Sequence, residues 1–382
     1  GDSVGYGIVN TLYMVESSSL MPPVDHDPGH GPVYFWSLAA MWLLFGRDVA
    51  VTHWHSFLWM AYLLAGTFRL GEALSGSRWR GGLFAAGLVL CHGFFFSMAI
   101  QSLPDLPLTA FTAWMFYAFY AKRIRLFAVH VGLMLLTKVQ AVPAIFFFGV
   151  AEFVVVSGVL WFAHRAPRAR RLMARSWLRW VAAGDSGAVP WMLWMVWHRI
   201  EQGFWIQSPN FKISTRMEFS VERVSESLDG YVSWVLFNDQ GHGHAAAVAA
   251  LALLGAVVGT LFLGRGQPRR RVRWPRLLRP RPLILLSMAI QCVLWILLIS
   301  AKEEKFGRFL NPVVQLGLAA LPMLTVCAFD RIAAVLPQRR HALLAVESML
   351  ALLVAGNFAI RLDPGWPRRL PIPDRWQDHF VM

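Results

Sequence analysis

The chain has 382 residues, 56% of them hydrophobic and only 15% charged, against roughly 25% charged in an average soluble protein. That composition excludes an ordinary water-soluble globule. The net charge of +14 does not indicate a nucleic-acid partner, because that would need the basic residues on one accessible face and they are instead divided among separate loops.

Apolar runs recur along the sequence, and a bilayer takes about 20 helical residues to cross, so the chain is predicted to be an all-α, polytopic transmembrane helical bundle. Residues 1–51 read as a long outer segment. Within it the piece VYFWSLAAMWLLF, residues 33–45, is too short to span and predicts an interfacial helix lying along the membrane surface.

Spanning helices are predicted at 52–73, 82–100, 105–121, 125–138, 140–162, 180–198, 244–264, 282–300, 309–328 and 341–360, ten in all. Of these, 125–138 is short, and 180–198 carries Asp185 near one end and Pro190 inside. The bundle thus covers 52–360, with a second long outer loop at 199–243 and a short outer tail at 361–382. Two large outer loops over a bundle predict a roofed cavity at the membrane surface.

If successive loops alternate sides, 74–81, 121–126, 163–179, 265–281 and 329–340 share one side and hold 22 of the 36 lysines and arginines. Basic loops stay cytoplasmic, which puts the long polar loops outside. The long loops and their polar residues are therefore expected on the outer face of the membrane. The stretch RGQPRRRVRWPRLLRPRP reads as a cytoplasmic loop near anionic headgroups. The chain opens at Gly1-Asp2 in what looks like mid-loop, without a signal peptide, and is expected to lack an N-terminal helix. Cys91, Cys292 and Cys327 lie in apolar runs without metal or disulfide spacing.

Chemistry-bearing residues gather on the outer side. They are Asp2 in GDSVGYG, His26, Asp27 and His30 in DHDPGHGPVYFW, Asp105 in QSLPDLPLTAF, Lys138 in LLTKVQ, and Lys302, Lys305 and Arg308 in AKEEKFGRFLNP. Each has a plain alternative. Asp105 is also read as a solvated carboxylate favoured by a helix dipole, and Lys138 as a lysine snorkelling to the interface. The histidines are also read as loop residues with no ligand, and the 302–308 cluster as a surface ion network with Glu303 and Glu304.

In that order the segments resemble the GT-C type of bacterial membrane glycosyltransferase, in the broad family of protein O-mannosyltransferases and aminoarabinose transferases. Asp2-Ser3-Val4-Gly5-Tyr6 is similar to the family's D-E-x-x-Y. His30-Gly31-Pro32-Val33-Tyr34-Phe35-Trp36, followed by Leu44-Phe45-Gly46, is similar to H-P-P-L-Y-Y-W and its L-F-G. Leu103-Pro104-Asp105-Leu106-Pro107-Leu108 resembles L-x-D-x-x-L. Leu136-Thr137-Lys138-Val139 resembles L-T-K-G, and Lys305-Phe306-Gly307-Arg308-Phe309-Leu310-Asn311-Pro312 resembles K-x-x-R-Y-L-L-P. Ser3, Gly31 and Val139 depart from an acid, a proline and a glycine of the pattern. The resemblance covers residues 1 to about 328.

The resemblance implies a glycosyltransferase that moves a sugar from a polyprenyl-phosphate donor to a protein, lipid or glycan acceptor by an inverting single displacement. Asp2, then Asp105, are the implied catalytic carboxylates. Lys138, Lys305 and Arg308 are the implied cations for the donor phosphate, and Tyr6, His30 and Tyr34 are substrate-site candidates. No cofactor is assigned, and the location the resemblance implies is a bacterial inner membrane with the active site facing the periplasm or exterior. A divalent metal ion near His30, or near His242 and His244, is an option, but no metal ligand is assigned. Membrane lipid is an expected partner and nucleic acid is not. The alternatives are a transporter or lipid flippase, whose ionisable groups line a path, and a non-catalytic, truncated relative.

Overall fold

The structure, a computed structural model, describes residues 7–24, 27, 30–91, 95, 98–99, 102–163, 167–205, 221–222, 225, 281–300, 320 and 322–326. Among these the secondary structure is helical throughout. The helices are α1 (Val9–Ser17), α2 (Pro32–Phe45), α3 (Val49–Ser75), α4 (Leu83–Cys91), α5 (Asp105–Tyr120), α6 (Ile124–Leu135), α7 (Ala141–Gly149), α8 (Ser157–Ala163), α9 (Pro167–Gln202) and α10 (Arg281–Ser300). Wide π-type turns lead into α4 over Arg78–Gly82 and join α7 to α8 over Val150–Val156.

Local chemistry sets the ends. Gly31 is extended ahead of Pro32 at the start of α2, where a proline is favoured because its missing N–H would have no helical partner anyway. The helix stops at Gly46, whose φ of 95° only glycine takes readily and whose N–H reaches the Trp42 carbonyl at 2.9 Å. Asp48 caps α3 by accepting from the Ala50 N–H at 2.9 Å. That helix ends at Gly76, φ 75°.

The predicted helices at 52–73, 105–121 and 125–138 correspond to α3, α5 and α6, and 140–162 to the run from α7 to α8. The short piece at 33–45, expected to be helical, forms α2. The segment at 180–198 proves to be part of a 36-residue helix that keeps Pro190 inside it. The predicted spans at 244–264 and 341–360 and most of 309–328 lie outside the described residues.

Among the described residues no helix is long and apolar enough to cross a membrane. The α6 helix has 12 residues, which reach about 18 Å, and α9 is interrupted by arginines and Asp185.

Two layers of packing hold the bundle. Leu63, Phe95, Met98, Leu106, Trp295 and Ile299 form one buried cluster around α3, α5 and α10. Leu70, Phe111, Met115, Phe119, Phe127, Met134 and Phe148 form the other, around α3, α5, α6 and α7. In the second, the Phe119 ring meets Phe148 edge-on at 4.8 Å and Trp180 at 4.9 Å. The α6 and α9 backbones almost touch where they cross, since a Cβ on Gly132 would lie 2.6 Å from the Gly187 carbonyl and one on Gly187 2.2 Å from the Ala128 carbonyl. Small residues at such a crossing let two helices approach to backbone contact. Tyr34, Phe35, Leu38 and Trp42 of α2 bury themselves with Met14 of α1, and α2 packs on to α3.

Candidate functional site

The α5 helix begins at Asp105, after the bend Ser102-Leu103-Pro104, and α6 ends two residues before Thr137-Lys138. Because α5 and α6 are antiparallel neighbours, the start of one meets the end of the other. Lys138 Nζ donates to both Asp105 oxygens, at 2.8 Å to Oδ1 and 2.8 Å to Oδ2. The lysine side chain is 3% exposed and the aspartate 5%. Neither plain alternative holds: Lys138 does not snorkel and Asp105 is not solvated. The carboxylate sits in the first turn of α5, where the helix dipole favours negative charge. Two ions this deeply buried are tolerable only as a well-formed pair.

A second segment braces the first. The Val33 N–H donates to the Leu136 carbonyl at 3.0 Å, so the start of α2 is bonded to the end of α6 beside Lys138. A Cβ at Gly31 would lie 2.0 Å from that same carbonyl oxygen, and the departure from proline at this position therefore has a steric reason. Three motifs far apart in sequence, at 30–36, 103–108 and 136–139, thus share one neighbourhood.

Tyr34, one turn into α2, is 1% exposed. Its hydroxyl donates to the Ser102 carbonyl and lies 3.1 Å from Ser102 Oγ, which also accepts from Ser56 Oγ at 2.8 Å. Ser102 sits at φ 51°, a left-handed conformation that a serine adopts at a cost, and these bonds hold it there. Burial pushes the Tyr34 phenol up to about 12, with the Ser102 hydrogen bond pulling the other way. It therefore stays a neutral donor.

Below Tyr34, His55 Nε2 accepts from Trp59 Nε1 at 3.0 Å and lies 2.8 Å from Ser37 Oγ. Among the described residues its buried Nδ1 meets no hydrogen-bond partner. A shallow recess bordered by Thr112, Met115, Phe147, Gln291 and Trp295 opens between α5, α7 and α10, about 10 Å along α5 from Asp105.

Sequence reasoning missed a further pair. Asp27 accepts from His198 Nε2 at 2.5 Å, with both side chains fully buried, and His198 Nδ1 lies 3.0 Å from the Phe204 carbonyl. Gln202 Nε2 donates to the Pro22 carbonyl at 3.1 Å. The C-terminal end of α9 therefore holds both Pro22 and Asp27. Asp27 drew notice in the sequence, but its partner lies 171 residues away in what read as an ordinary helix.

Of the remaining candidates, His30 is half-buried next to Gly31. Asp2, Tyr6, His26, His242, His244, Lys302, Lys305 and Arg308 lie outside the described residues. Among the described residues no group of three metal-binding side chains comes together.

Residues 29–175 match the model of the dolichyl-phosphate-mannose-protein mannosyltransferase family. The fold is similar to ArnT from Cupriavidus metallidurans bound to undecaprenyl phosphate, with a TM-score of 0.59, 16% identity, and coverage of 95% of this chain and 66% of that one. The apo form of the same enzyme matches with a TM-score of 0.57 at 16% identity over 86% of this chain and 55% of that one. The chain thus spans two thirds or less of the length of these neighbours. No curated protein sequence matches it. The family-model match thus falls on the region that holds Gly31, Tyr34, Asp105 and Lys138, in line with the resemblance read from the sequence, and the structural match shows a shared fold.

Proposed function

We propose that this protein is a membrane glycosyltransferase of the GT-C type that takes a sugar from a polyprenyl-phosphate carrier and places it on an acceptor at the outer, periplasmic face of a bacterial inner membrane. The observation that carries the reading is the buried Asp105–Lys138 pair, formed where three family-like motifs meet. A family-model match across that region supports it, as does a fold neighbour whose structure holds undecaprenyl phosphate. In this reading the bundle sits in the membrane, where the isoprenoid stays in lipid while the phosphate reaches the polar end of the bundle.

In this reading the acceptor oxygen attacks the anomeric carbon, the bond from that carbon to the carrier phosphate breaks, and the configuration inverts. The acceptor proton passes to a carboxylate, with Asp2 as first choice. Negative charge grows on the departing phosphate, where fixed cations stabilise it most. Lys138, Lys305 and Arg308 are the candidates, and Asp105 serves to aim the Lys138 ammonium. Tyr6 and His30 remain substrate-site candidates. Tyr34 is a candidate as well, and its hydroxyl, donating to the Ser102 carbonyl, also supports the bend before Asp105.

The test is transfer of label from a set of radiolabelled polyprenyl-phosphate sugars to any acceptor in membranes containing the full chain. Transfer of one sugar by the wild type, with loss of 100-fold or more in Lys138→Met at equal protein level, is expected. Unchanged transfer in both Lys138→Met and Asp105→Asn removes the pair from the mechanism. Vectorial movement of a lipid-linked sugar in liposomes with no glycosylated product overturns the enzyme reading.

A further inference from the structure

The first third of α9 carries Arg168, Arg170, Arg171, Arg175 and Arg179, with no acidic residue until Asp185. At 3.6 residues per turn, four of them, Arg168, Arg171, Arg175 and Arg179, fall within one arc of about 80°, and all four are exposed. The fifth lies on the other side. Arg170 Nε donates to the Trp161 carbonyl at 3.2 Å, and its guanidinium sits 5.4 Å over the Trp161 ring. Among the described residues no acidic side chain pairs with the four.

Further along, nearly the same side of the helix turns aliphatic. Val189, Leu193, Val196 and Ile200 are exposed by 48%, 66%, 48% and 73%. The opposite side of this later half carries buried Trp194 and His198, so the exposed side is the one left to the surroundings. The arginine-bearing part of the helix, 168–179, is about 17 Å long. Exposed Trp161 and Phe162 precede it and exposed Trp177 lies within it, aromatic side chains of the kind found at the headgroup level.

We propose that the face formed by Arg168, Arg171, Arg175 and Arg179 binds the phosphodiester headgroups of anionic phospholipids on the basic side of the bilayer. The proposal rests on the membrane setting of the preceding section but not on sugar transfer. The positive charge draws the phosphodiester, as an ammonium would too, and each guanidinium adds paired donors to two phosphate oxygens.

The test uses the full chain purified in detergent and mixed with equal amounts of phosphatidylglycerol and phosphatidylcholine, with bound lipid counted by native mass spectrometry. The wild type is expected to retain phosphatidylglycerol preferentially. R168Q/R171Q/R175Q/R179Q is expected to lose about tenfold or more of that enrichment, and the four-lysine counterpart to keep most of it. If the four-glutamine protein is not monodisperse, R175Q/R179Q is read instead, with a partial loss expected. Unchanged enrichment in the glutamine variants overturns the proposal. So does a loss that appears only in R269Q/R270Q/R271Q, a failure of lysine to substitute, or release of the lipid by a short RNA at equal concentration. Asp105→Asn is expected to keep the enrichment, so failure of the enzyme reading and failure of this one are separable. Complete release of the chain from membranes by alkaline carbonate overturns the membrane setting and this proposal with it.

Discussion

Removing one member of the Asp105–Lys138 pair leaves the other charge buried with no counter-ion. At 2.8 Å the attraction is ~6 kcal/mol at an effective dielectric constant of about 20, and most of it is offset by the cost of dehydrating both groups. The net loss on deleting one partner of a buried pair is about 3–5 kcal/mol, whereas replacing both by uncharged side chains is often neutral. For 382 residues, with an unfolding entropy of about 2.1 cal/mol/K per residue, that loss lowers Tm by about 4–6 °C.

Asp105→Asn and Lys138→Met should therefore each melt several degrees early in detergent, while the double variant should return to within a degree or two of wild type. Sugar transfer should nevertheless stay lost in the double variant, because the charge that would meet the phosphate is gone. Additive losses of stability, with the double variant melting lowest of all, would refute the reasoning, since they would mean the two side chains contribute independently.

Tyr34→Phe strips the donor from the buried Ser102 carbonyl and should cost about 1–3 kcal/mol, measured as the same kind of melting shift, with reduced turnover but an unchanged donor KM. The pH dependence has a definite sign. A phenol raised from 10.0 to about 12 contributes stability that is fully present below pH 10, declines as the unfolded phenol ionises above it, and is lost by about pH 12. Alkaline unfolding of the wild type should therefore be steeper across that window than that of Tyr34→Phe. Gly31→Ala drives a Cβ to 2.0 Å from the Leu136 carbonyl and should sharply reduce the yield of folded protein. Gly87→Ala, with nothing within 4 Å, should be silent in the same expression and size-exclusion assay. His198→Ala leaves Asp27 buried without its histidine and should speed hydrogen exchange over residues 21–24 while leaving α5 protected.

Much of the helical layout was legible because apolar runs and their breakers are local properties. Gly46, Asp48 and Gly76 mark ends that the hydropathy pattern already suggested. The α9 helix was read too short because its basic first half resembles a loop, although a run of arginines on one face is compatible with a helix. The meeting of Asp105 and Lys138 was half legible. Both stood out as charges in apolar surroundings, but their separate assignment to catalysis and to phosphate binding gave no hint that they bond to each other. The Asp27–His198 pair was illegible, because a histidine at the end of an apolar helix carries no mark of a partner 171 residues upstream. The role of Tyr34 was likewise hidden, because nothing local to the α2 motif indicates that its hydroxyl reaches a serine in a left-handed bend.

The contact between Gly31 and Leu136 bears on any attempt to alter what the protein handles. Because the first motif touches the second through main-chain atoms, swapping in a bulkier 30–36 stretch from a relative would shift the peptide that carries Lys138. Exchanging the two stretches together, as a matched cassette, keeps that peptide in place, whereas changing either one alone misaligns the ammonium.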